Sequence, residues 1–235
     1  MALSHQQSSV SDPAYRKLHR AFFAACIILA PLVLFLGFFF DPTGGVPPAA
    51  SGIFADFRAA SPLRIQLFLF FNAATPYFFP LSYIGLGMLA MKRSPWLATI
   101  GTAFGLLGSL PYANFVGLEA IGDVSSKTIQ SATFVALWNG LSSEGAIVFL
   151  QYSWVVGHIF GYVLLGIALG RARAIPLWAA CLIVVAIPFQ AAAYISGQGI
   201  FQLISYVLIF IGSLPAALAM VKLTNGKSSV SVGEP

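Results

Sequence analysis

Charge is what this sequence has least of. Twelve basic and seven acidic residues leave 8% of its 235 positions charged, against 58% hydrophobic. Soluble domains carry about a quarter of their residues as Asp, Glu, Lys or Arg. A water-soluble fold is therefore excluded, and a mean hydropathy of +0.87 puts the chain in the polytopic membrane class. Cysteine is nearly missing as well. Cys26 and Cys181 both sit inside apolar runs, in no metal-ligand spacing, and read as reduced buried thiols. There is no glycine-rich phosphate loop, no His-Glu-x-x-His pair, no G-x-S-x-G elbow and no CxxC. Gly140-Leu141-Ser142-Ser143 comes nearest to a rhomboid-like serine context, but the rest of that pattern is missing. No cofactor, no metal site and no catalytic residue is implied.

What the chain does have is a series of apolar runs, each long enough to cross a bilayer as a helix. The expected fold is all-α: a polytopic membrane bundle of six transmembrane helices over 18–223, with short polar tails at 1–17 and 224–235. The spans run about 18–40, 62–91, 95–118, 142–170, 176–195 and 199–223. A surface helix or loop at 119–141 joins the third to the fourth. The first run is about twice the length of a signal-peptide core and reads as a retained anchor. Asp41-Pro42-Thr43-Gly44-Gly45 ends it, and a Pro, Ala and Gly-rich loop follows. Ser61-Pro62 and Ser94-Pro95 each read as a cap followed by a first-turn proline. Ser142 is the expected cap of the fourth span after a break at Asn139-Gly140. Pro76 and Pro80 predict a kink or break within the second span.

The scarce charges carry the topology. A formal charge of +5 would suggest nucleic acid in a soluble protein, but here the basic residues flank apolar runs. With both termini cytoplasmic, Arg16, Lys17, Arg20, Lys92, Arg93, Arg171, Arg173, Lys222 and Lys227 lie inside, and only Arg58, Arg64 and Lys127 outside. That positive-inside bias predicts a multi-pass protein of the plasma membrane with no nucleic-acid partner. Five carboxylates, Asp41, Asp56, Glu119, Asp123 and Glu144, make the outer face acidic. They fall in different segments and in no calcium-loop spacing, so solvated loop charge is the plain reading. Gly108-Ser109-Leu110-Pro111 recurs as Gly212-Ser213-Leu214-Pro215 in a span of opposite direction, as inverted repeats require. The first and fourth spans fail to align, which argues against a duplication.

Polar residues inside the spans are the candidates for function, because burying them in lipid is expensive unless they find partners. Glu144, Gln151 and His158 recur every seven residues on nearly one helix face, and Tyr162 follows four later. Glu144 has a simple explanation in the first helical turn, where a carboxylate complements the dipole. His158 is the one ionisable side chain expected near mid-membrane. It suits a proton relay, a ligand contact or an interhelical clamp; haem ligation is disfavoured because no second span carries a histidine. Asn72 and Thr75 precede the Pro76–Pro80 pair, and Asn114, Tyr112, Gln190 and Gln202 add further polar positions. The expected ligand-binding set is His158, Gln151, Asn72, Asn114 and Tyr162.

Three functional readings follow. The first is a protein that binds or transports a small-molecule, lipid or otherwise amphiphilic ligand inside the bundle. The second is an accessory or scaffolding subunit, homo-oligomeric or bound to a membrane partner, whose polar stripe only holds helices together. The third is a membrane-embedded enzyme acting on a lipid or prenyl substrate, with His158, Glu119 or Glu144 as acid or base.

Overall fold

The computed structural model describes residues 14–44 and 49–223. Of the expected tails, residues 1–13 and 224–235 lie outside the described residues. Among the described residues the secondary structure is helical throughout: α1 (Ala14–Phe40), α2 (Ala50–Ala59), α3 (Pro62–Met91), α4 (Pro95–Ser109), α5 (Tyr112–Thr128), α6 (Ser131–Ser143), α7 (Gly145–Ala172), α8 (Leu177–Ser196) and α9 (Gly199–Lys222). Five of these, α1, α3, α7, α8 and α9, are long and apolar enough to cross a membrane. The chain is a helical, multi-pass membrane bundle. Large apolar side chains stand exposed along these helices, among them Phe39, Phe70, Phe149, Val185 and Leu218. In water such surfaces would cost free energy, whereas lipid solvates them.

Local chemistry explains most of the boundaries. Ser61 has extended backbone, accepts the Arg64 N–H on its hydroxyl at 3.3 Å and is followed by Pro62 in the first turn of α3. Ser94 occupies the same place before α4, yet its hydroxyl makes no cap bond. Of the expected kink or break, the break does not occur: α3 is continuous through Pro76 and Pro80, and Thr75 Oγ1 donates to the Phe71 carbonyl at 3.1 Å. At the far end of α7, Arg173 adopts left-handed backbone (φ 50°) and the Ala174 N–H reaches back to the Leu169 carbonyl at 3.1 Å. That is the closing pattern usually supplied by glycine.

Three stretches differ from the sequence expectation. The third run is two helices, because α4 stops at Ser109 and α5 starts after Leu110-Pro111. Pro111 has no N–H to offer the Leu107 carbonyl, so the ladder is interrupted there. The repeated Gly212-Ser213-Leu214-Pro215 lies inside α9 without interrupting it, so the same four residues have two outcomes. The loop after α1 contains α2, whose Ile53 and Phe57, four residues apart, are buried. Asn139-Gly140 does not break its segment either. α6 continues to Ser143, and the turn into α7 falls at Glu144, which is extended and precedes the first helical residue. A single helical glycine costs only about 1 kcal/mol.

The tightest crossing is between α4 and α7. A Cβ added to Gly108 would lie 2.7 Å from Gly157 Cα, and one added to Gly161 would lie 2.8 Å from Gly105 Cα. The two backbones are in contact, which is what small residues spaced four apart permit. α1 packs on α3 and α9, and α8 on α9 and α7. One end of this bundle gathers the basic joins, where Arg93 Nη1 donates to the last α7 carbonyl, Ala172, at 3.4 Å. At the other end α2, α5 and α6 pack on one another. Ile53, Phe57, Ile65, Phe68 and Phe134 form a separate buried cluster there.

Candidate functional site

A cavity of about 420 Å3 lies at the end of the bundle away from the basic joins. That size is within the range of sites for drug-sized ligands, roughly 300–1,000 Å3. Its walls come from the end of α1 (Phe38, Asp41), the first half of α3 (Phe68, Asn72), α5 (Tyr112, Phe115, Glu119) and the start of α7 (Gln151, Trp154). The end of α8 (Tyr194) and the start of α9 (Gln202, Tyr206) complete them, with Trp138 and Ser142 of α6 on the remaining side. Ser142 is exposed, so α6 borders the mouth.

Each polar wall residue is positioned by its helix. Tyr112, Phe115 and Glu119 follow one another at three and four residues, so they share one face of α5. Tyr112 is buried and donates its hydroxyl to Asn72 Oδ1, tying α5 to α3. Gln202 Nε2 donates to the Tyr206 hydroxyl one turn on, while Gln202 Oε1, buried, has no hydrogen-bond partner. Glu119 Oε2 is likewise buried and unpartnered. Glu119 lies outside the spanning helices, on α5. Its burial, and next the negative charge of Asp41, hold its carboxyl well above the ordinary carboxylate range. Asp41 accepts the Thr43 N–H and hydroxyl on Oδ1, each at 2.8 Å, in a turn that fixes its carboxylate.

Four of the five residues expected from sequence fall into two layers. Gln151 and Asn72 line the cavity. His158 and Tyr162 lie one and two turns beyond Trp154 on α7, both buried. His158 Nδ1 and the Tyr83 hydroxyl of α3 are hydrogen-bonded at 3.1 Å. The imidazole is enclosed by Trp154, Tyr162 and Phe79, with ring centroids at 4.5, 5.0 and 5.5 Å. Gln190 of α8 interacts with it too, although His158 Nε2 and Gln190 Oε1 lack partners of good hydrogen-bond geometry. Trp154 joins the layers, since it lines the cavity and also packs on Tyr112 at 4.6 Å. Asn114 is on α5 but off the face that lines the cavity, and its buried Nδ2 has no partner.

Sequence reasoning had not assigned the α5 face, Tyr194 or Tyr206 to a site. From sequence, Asp41 reads as loop charge, and Glu119 reads as loop charge or, in the enzyme reading, as an acid or base. The three-and-four spacing of Tyr112, Phe115 and Glu119 was the available signal, obscured because residue 119 was taken for the start of a loop. Chemically, the site offers aromatic faces, hydrogen-bond acceptors and two carboxyl groups. Among the described residues no group of three His, Cys, Asp or Glu side chains could hold a metal ion.

Fold and cavity together define a multi-pass helical membrane protein with an internal chamber at one end. No family model, curated protein or solved structure matches the chain.

Proposed function

We propose that the protein binds a small or amphiphilic ligand in this chamber, from the outer face of a plasma-membrane bundle that the chain crosses six times. Supporting six crossings, α3 ends at the basic end of the bundle, while α7 starts beside the cavity at the other. α4 runs antiparallel to α7 and, with the first turns of α5, carries the chain back between them. The positive-inside rule then favours cytoplasmic termini and an outward-facing cavity.

One observation carries the ligand reading. A cavity of about 420 Å3 has buried polar atoms in its wall, Glu119 Oε2 and Gln202 Oε1, that the protein itself leaves unpartnered. Buried polar groups are costly without a partner, and a ligand is a natural source of one. The scaffold reading draws its support from the deeper layer, where the Tyr83–His158 bond clamps α3 to α7.

Native mass spectrometry of the detergent-purified protein tests the proposal, beside Ser142→Trp, which obstructs the mouth from an exposed position. A single retained species in the wild type, lost in the folded variant, is the expected result. Only generic phospholipid in both samples would leave the scaffold reading ahead.

A further inference from the structure

From the polarity of the chamber we infer that its ligand is a protonated amine carrying an apolar tail. The inference rests on the ligand-binding reading and narrows it to one chemical class.

Three features point to a cation. First, the wall offers acidic groups and no basic one: Asp41 and Glu119 line the cavity, and among the described residues no Lys, Arg or His does. Arg64 lines a separate groove and donates to the Phe40 and Asp41 carbonyls at 3.1 and 2.7 Å. Second, the wall atoms left without partners are both acceptors. Gln202 is 3% exposed, its amide nitrogen is used on Tyr206, and its Oε1 has no donor. Glu119 Oε2 has none either. An ammonium group brings several N–H donors and the charge that a buried carboxylate needs; an anion or an aprotic ligand brings neither.

Third, the rest of the wall is aromatic, with Phe57, Phe115, Trp138, Trp154, Tyr194 and Tyr206 among its rings. Aromatic faces attract cations by about 0.5–2 kcal/mol each, and they also bury an apolar tail. A hydrated metal ion would make no use of such walls. The chamber joins an acceptor-rich patch at Glu119 and Gln202 to a large apolar lining, which is the complement of an amphiphilic amine.

The test uses three probes that share one tail and differ in head group: 4-phenylbutylamine, 4-phenyl-1-butanol and 4-phenylbutyrate. Binding to the full-length protein in detergent is read from tryptophan emission, since Trp138 and Trp154 line the cavity. The amine is expected to saturate with a Kd at least about tenfold below that of the alcohol, and the acid to bind weakest. Glu119→Gln should abolish that preference, bringing the amine and alcohol Kd values together. Equal affinity of amine and alcohol in the wild type would overturn the amine assignment but keep the chamber as a ligand site. No saturable response to any probe would overturn both. The wild-type comparison needs no variant to fold. Repeating the titration in nanodiscs separates two sources of the ammonium group. Competition by phosphatidylethanolamine and not by phosphatidylcholine assigns a lipid head group, and equal amine binding in both assigns a free amine.

Discussion

Tyr112 on α5 donates its hydroxyl to Asn72 Oδ1 on α3, forty positions away, and the bond forms part of the cavity wall. Asn72 is itself packed against α1, because a Cβ on Gly37 would lie 2.9 Å from its Oδ1. Three helices therefore meet at one amide. Tyr112→Phe should cost about 1–3 kcal/mol, since the buried Asn72 oxygen then loses its donor. Unfolding of the detergent-solubilised protein by graded denaturant measures the loss, and an unchanged midpoint would show the bond to be dispensable.

The α4–α7 crossing makes a harsher demand. Neither Gly108 nor Gly157 has room for a methyl group. Gly108→Ala should destabilise by about 1–3 kcal/mol through separation of the two backbones. Gly117→Ala, whose added Cβ meets nothing within 4 Å, is the matched control and should be neutral or slightly stabilising. Equal melting temperatures for the two variants would refute backbone contact at the crossing.

Glu119 makes stability depend on pH in a definite direction. Its folded-state carboxyl is held above the ordinary 4.5, so the folded protein binds a proton that the unfolded chain releases. Stability from this group is therefore complete below about pH 4.5 and falls as pH rises toward the raised value. Glu119→Gln removes the dependence. Melting temperatures across pH should show the variant gaining on the wild type as pH rises above 4.5, with the two converging in acid. A variant that lost ground at high pH would mean the carboxylate is paired when charged.

Arg173 holds a left-handed conformation that side chains other than glycine adopt at a cost. Arg173→Gly should stabilise by about 1 kcal/mol, because it relieves a Cβ penalty of about 1–2 kcal/mol against some added freedom in the unfolded chain. Arg173→Ala keeps the penalty and should show no gain in the same unfolding assay.

The membrane class was legible in the sequence because it depends on composition and run length, which no tertiary contact alters. Ser61 and Pro62 announced the start of α3 for a similar reason, since a cap is satisfied within one turn. The split at Leu110-Pro111 was not legible. Prolines at 31, 76, 80, 188 and 215 are carried inside their helices, so proline alone does not tell a break from a tolerated residue. The site was half legible. Gln151 and Asn72 were found because polar residues in apolar runs stand out, and His158 stood out in the same way although it belongs to a deeper aromatic layer. Glu119 and Asp41 are absent from the expected ligand-binding set because a carboxylate near a span end looks like solvated loop charge. Only the packing of α2, α5 and α6 over the bundle end encloses them.

That packing has a consequence for how the two parts of the molecule come undone. The cluster of Ile53, Phe57, Ile65, Phe68 and Phe134 shares no buried residue with the main core. α2 and α6 are thus joined to the bundle by a handful of side chains, Ile65 and Phe68 of α3 among them, while Tyr112 ties α5 to the main core. Loosening α2 and α6 therefore costs fewer buried side chains than parting the long helices, so the two ends of the molecule need not lose their packing together.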